Sequence, residues 1–149
     1  MLVFEILYKL ETIIKVIMDA LQERQPFDVE AKEILKRSQN GEFSCMFTAN
    51  ATTDIFYLYN RARDLKSAKS ALNFLLANYI VVSVTHGDCT EAISLSIDDF
   101  EDALMAVCAK KANAAYIITR DDKFLRENSQ VKAITPKEFL GIIAQEQNM

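Results

Sequence analysis

Short apolar runs alternate along this chain with longer amphipathic stretches, and that alternation leaves few folds open. Phe43–Thr48 and residues 79–84, 115–119 and 131–134 each have the length and apolar character of a strand, and residues 79–84 are rich in β-branched side chains. Between them, apolar residues recur at helical spacing from Asp28 toward Asn40-Gly41, over residues 51–63 and 67–78, and in two further stretches, the second covering residues 98–112. Thr135-Pro136 supplies the cap and first-turn residue of a C-terminal helix. Strands joined through helices pair in parallel, and a parallel sheet needs helices on both faces. The expected fold is therefore α/β, a three-layer α/β/α sandwich around a mostly parallel sheet. At 149 residues the chain has the usual size of one domain, expected to span residues 1–149.

Two readings of residues 2–21 stand side by side. Val3, Leu7, Leu10, Ile14, Ile17 and Leu21 are spaced as one face of a helix, with charged residues between them. The stretch from Phe4 to Thr12 also alternates well enough for a strand. Glu5, Lys9, Glu11 and Lys15 interrupt this segment before a signal-peptide core or membrane span could form, so a soluble protein is expected.

Composition narrows the chemistry. Three Gly and two Pro in a chain that is half apolar exclude collagen-like and disordered classes. Cys45, Cys89 and Cys108 are odd in number and widely spaced, which argues against a disulfide framework or a zinc site and fits a reducing cytoplasm. His86 is the lone histidine and, beside Gly87, reads as a turn residue. With a net charge of −4, a phosphodiester substrate has to be met by local basic patches or bound cations.

Acidic residues at the carboxyl ends of parallel strands are the strongest candidates for function, because ligands of open α/β sheets bind there. Asp54 lies on the apolar side of its helix, where a carboxylate is costly unless paired, capping or bound to metal. Asp98, Asp99, Glu101 and Asp102 crowd a helix start. Asp98 with Glu101 can form a cap, while Asp99 and Asp102 share a face that could offer two oxygens to one cation. Asp121 follows a strand, where it can cap the next helix or bind a ligand. Oxygen donors with almost no histidine favour a hard cation such as Mg²⁺ or Mn²⁺.

These residues resemble the PIN-domain ribonucleases, many of which are toxins of toxin–antitoxin pairs. The similarity covers roughly residues 15–140 and rests on four pieces in order: Val16-Ile17-Met18-Asp19-Ala20-Leu21 with Arg24-Gln25-Pro26-Phe27; Thr48-Ala49-Asn50-Ala51-Thr52-Thr53-Asp54-Ile55-Phe56-Tyr57; Ser96-Ile97-Asp98-Asp99-Phe100-Glu101-Asp102-Ala103-Leu104; and Tyr116-Ile117-Ile118-Thr119-Arg120-Asp121. The resemblance implies a Mg²⁺- or Mn²⁺-dependent endoribonuclease cleaving single-stranded RNA, with an antitoxin-like protein partner and a homodimeric state. It implies metal-binding and catalytic roles for Asp54, Asp102 and Asp121, with Asp99 as a helper and Thr119 as the motif's hydroxyl. Arg120, Lys110 and Lys111 are the expected phosphate contacts. One acid of the family pattern is absent: where the family ends its central first strand in Asp-Thr-Asn, this chain reads Ile13-Ile14-Lys15, with Glu11 the nearest substitute. The alternative is thus a PIN fold without nuclease activity, kept as a binding module for a protein or RNA.

Overall fold

The computed structural model describes residues 4–8, 29–127 and 130–147. Five strands form one sheet: β1 (Phe4–Tyr8), β2 (Phe43–Thr48), β3 (Ile80–Val82), β4 (Tyr116–Ile118) and β5 (Ala133–Ile134). Their order is β3-β2-β1-β4-β5 and every pairing is parallel. The helices are α1 (Val29–Gln39), α2 (Ala51–Ala62), α3 (Leu65–Asn78), α4 (His86–Ile93), α5 (Phe100–Lys111), α6 (Asp122–Glu127) and α7 (Pro136–Gln147). This is the expected α/β/α sandwich.

The helical reading of residues 2–21 is corrected over Phe4–Tyr8, which form the central strand. Leu7 pairs with Met46 on one side and with Ile117 on the other. A strand in that position satisfies the ladders of both neighbours, whose N–H and C=O groups would otherwise be stranded in the middle of the sheet. That tertiary demand outweighs the helical spacing of a few apolar side chains. The rest of the segment, including Glu11, Ile13 and the Val16–Leu21 run, lies outside the described residues.

Successive residues of a strand face opposite sides of the sheet, and the core divides accordingly. Phe43, Cys45 and Phe47 of β2 and Ile118 of β4 join Ile34, Ile55, Tyr59, Leu75 and Phe139 on one face. Met46 and Ile117 join the run Ala103–Ala109 of α5, together with Phe124, on the other. All seven residues of that run are buried, and its small Ala and Cys side chains let α5 sit close beneath the sheet. On the opposite face Phe139 packs edge-on against Phe43, with ring centroids 5.0 Å apart, which fixes α7.

Local signals place most boundaries. Gly41 takes φ +82° after α1, the left-handed position the sequence reserves for it. Thr135 caps α7: its Oγ1 accepts from Glu138 N at 3.2 Å while Glu138 Oε1 accepts from Thr135 N. Two expectations are corrected. His86 is the first residue of α4 rather than part of a turn, because Thr85 before it and Asp88 in the first turn form a complete capping box. The cap of α5 is Asp99, not Asp98, its Oδ1 accepting from Asp102 N at 3.0 Å.

Candidate functional site

All five strands being parallel, their carboxyl ends share one edge, and the chain order reverses about β1, with β2 on one side and β4 on the other. The turns that leave β2 and β4, and the first turn of α5, deliver the acidic candidates. Asp54 sits in the first turn of α2 and is partly buried. Glu101 and Asp102 occupy the first turn of α5. Asp121 follows β4, where its Oδ1 accepts from Lys123 N at 3.0 Å and Phe124 N at 3.3 Å, capping α6.

The structure brings Asp54 and the α5 acids together through Glu101. The Glu101 carboxyl lies in the field of Asp54 and is held above the ordinary glutamate range. Desolvation is the largest cause, followed by the negative charges of Asp54, Asp99 and Asp102. Sequence spacing reads Glu101 as part of a cap and does not show this role, because it couples two helices separated by α3, β3 and α4.

The remaining candidates are distributed around this pair. Thr119 is fully buried, and its Oγ1 accepts from Asp121 N at 3.0 Å, shaping the turn that carries Asp121. Arg120 Nη2 donates to Glu30 Oε2 at 3.3 Å, tying the same turn to α1. Lys123 of α6 pairs with Asp98 at 3.1 Å, joining the α5 approach to α6. Lys110 and Lys111 stand at the far end of α5 from Asp102, and the nine residues from Asp102 to Lys111 span about 13 Å of helix. Lys111 Nζ donates to Asp88 Oδ2 and to Ser83 O there. Two of the thiols are inert: burial pushes Cys45 up to about 12 and Cys108 up to about 11.

The donor chemistry, oxygen only and mutually repulsive, fits a hard divalent cation. Among the described residues, however, no three His, Cys, Asp or Glu side chains converge closely enough to hold one. Asp99 and Asp121 direct oxygens to backbone N–H groups. No helix among the described residues is long and apolar enough to cross a membrane.

Residues 14–123 match the family model described as PIN domain. The match begins after β1, so the central strand is placed by the tertiary structure and not by family sequence. Among solved structures, a DNA-bound VapBC of Salmonella typhimurium superposes with a TM-score of 0.65 at 6% identity, covering 89% of this chain and 98% of that one. VapBC2 of Rickettsia felis, bound to a promoter DNA fragment, gives 0.62 at 11% identity, with 89% and 98% coverage. PAE2754 of Pyrobaculum aerophilum gives 0.57 at 17% identity, with 95% and 90% coverage. At these identities the likeness is one of fold. No curated protein matches the chain by sequence.

Proposed function

This chain belongs to the PIN-domain family, and on that premise we propose that it is a divalent-cation-dependent endoribonuclease of the toxin type, acting on single-stranded RNA. The observation that carries the reading is the Asp54–Glu101 pair beside Asp99 and Asp102, a concentration of negative charge at the sheet's carboxyl edge that a cation would relieve. Asp54, Asp99, Asp102 and Asp121 would hold Mg²⁺ or Mn²⁺ only after side-chain rearrangement, including release of the Asp99 and Asp121 caps, brings three of them within reach of one ion. Such an ion supplies water activation and charge neutralisation at a phosphodiester. Thr119 and the Arg120–Glu30 pair position the turn of Asp121. Arg120 is the basic candidate nearest that turn, whereas Lys110 and Lys111 serve a phosphate only if the RNA extends along α5.

An antitoxin-like protein partner is proposed from the VapBC assemblies that share the fold. A homodimeric state and a cytoplasmic location go with the same reading. The second reading, a PIN fold that binds without cleaving, is favoured by the backbone engagement of Asp99 and Asp121 and by Ile13 at the family's first acid.

The test is cleavage of a mixed single-stranded RNA pool with Mn²⁺, an EDTA control and an Ile13→Asp variant. EDTA-sensitive cleavage by the native chain supports the nuclease. Failure of the native chain with rescue by Ile13→Asp supports the binding module with an otherwise intact site. Failure of both folded proteins removes the nuclease reading.

A further inference from the structure

The acidic chain carries a concentrated basic patch among the described residues, and it begins on the helix that carries Asp54. From Ile55 to Gly87 the sequence has four cationic side chains, Arg61, Arg63, Lys66 and Lys69, against one acid, Asp64, in a protein of net charge −4. All four sit on or beside the turn joining α2 to α3 and all are exposed. Asp64 is partly committed to the fold, its Oδ1 accepting from Ser67 N at 2.7 Å as the cap of α3. Arg61 and Lys69 make no ion pair among the described residues.

Helical periodicity links the patch to the candidate site. Ala51, Ile55 and Tyr59 face the core, so Tyr57 and Arg61, four residues apart, share an outward stripe that begins near Asp54. Tyr57 is 62% exposed, an aromatic ring held in water at the side of a basic surface. Arg61 lies seven residues from Asp54, about 10 Å along the axis. A flexible polyanion whose bases can stack on an aromatic ring suits such an arrangement, since a cationic track with an exposed ring is how single strands are bound without reading sequence.

We propose that the α2–α3 hairpin is the track for single-stranded nucleic acid, with Arg61, Arg63, Lys66 and Lys69 on the phosphates and Tyr57 stacking a base. Charge complementarity and the ring favour this occupant over an acidic peptide. That the strand is RNA rests on the function proposed above.

The experiment measures binding of the full chain to a fluorescent single-stranded RNA of about 12 nucleotides in EDTA, by anisotropy over a salt series. Three variants are compared: Tyr57→Ala, Arg61→Gln with Lys69→Gln, and the control Lys132→Gln with Lys137→Gln. Every substituted side chain is exposed, and thermal melts confirm folding. The hairpin pair is expected to weaken binding at least tenfold and to lower the salt slope by about 1.4, at ~0.7 per phosphate contact. Tyr57→Ala is expected to cost about tenfold, and the control pair less than about twofold. Equal losses from both pairs, no loss from the hairpin pair, or an equal effect of the hairpin pair on binding to polyglutamate would overturn the proposal. Because the assay contains no divalent cation, its outcome is separate from cleavage: a hairpin effect without Mn²⁺-dependent cleavage leaves the track standing and removes the nuclease, and cleavage without a hairpin effect does the reverse.

Discussion

Lys111, the last residue of α5, donates from Nζ to Asp88 Oδ2 in the first turn of α4, and the same Asp88 oxygen accepts from Thr85 N at 2.9 Å. One buried carboxylate thus closes a capping box and joins two helices on the same face of the sheet. These partners hold the Asp88 carboxyl below the ordinary aspartate range, the Lys111 hydrogen bond first and the Thr85 N–H second. Asp88→Asn is expected to destabilise the fold by about 1–2 kcal/mol. That is less than for a fully buried pair, because the Lys111 side chain is 37% exposed. The sign with pH follows from the lowered value: the contribution is present above the unfolded aspartate pKa of about 3.9 and is lost as pH falls through the folded one. Urea unfolding of both proteins from pH 7 down to pH 2.5 checks this. The gap between them should close in acid, and a constant gap would show that the carboxylate's charge is not what stabilises.

Tyr59 is 1% exposed and its hydroxyl has no hydrogen-bond partner among the described residues. Burial pushes its pKa up to about 12, against a smaller opposing effect of Arg63. An unsatisfied buried hydroxyl costs about 1–3 kcal/mol, so Tyr59→Phe is expected to be neutral or to stabilise by up to about 1 kcal/mol. Tyr59→Ala, which leaves a cavity among Ile55, Ala68 and Leu75, should cost about 3–5 kcal/mol. Denaturant midpoints for the two variants decide it, and a clear loss in Tyr59→Phe would mean the hydroxyl has a partner in solution.

Gly41 holds φ +82°, and a Cβ built there meets nothing within 4 Å. The cost of Gly41→Ala is therefore backbone strain alone, about 1–2 kcal/mol. Thermal melting should show a lowered Tm with unchanged RNA binding and cleavage.

For the acidic centre, Glu101→Gln removes a charge that Asp54, Asp99 and Asp102 oppose. In EDTA the variant should melt higher than the native chain at pH 7 and equally at pH 3.5. The raised Glu101 pKa means the native fold is penalised as pH climbs through that value and not below the unfolded glutamate pKa of about 4.3. Asp102→Asn should weaken Mn²⁺ binding about 10–100-fold if these oxygens hold the ion. Calorimetric titration with Mn²⁺ measures it, and unchanged binding would reduce Asp102 to a helix-start residue.

The sequence carried the alternation of strands and helices, the left-handed Gly41, the Thr135 cap and the capping role of Asp121, because each is decided by residues within a few positions of one another. Periodicity puts Asp54 on the apolar side of α2, but the buried residues there are Ala51, Ile55 and Tyr59, Tyr57 is exposed, and Asp54 stands at the edge of the buried face. Periodicity left the choice open where local and distant demands compete. Residues 4–8 fit both the helical spacing and the strand alternation, and the strand reading holds, since only the assembled sheet, with β2 on one side and β4 on the other, presents the unpaired backbone groups that make a strand the lower-energy choice. For the same reason no sequence spacing could reveal that Glu101 faces Asp54. Their electrostatic coupling joins two helices whose separation is set by the packing of the sheet's layers, so the identity of the acids was written in the chain, and their proximity was decided by the tertiary structure.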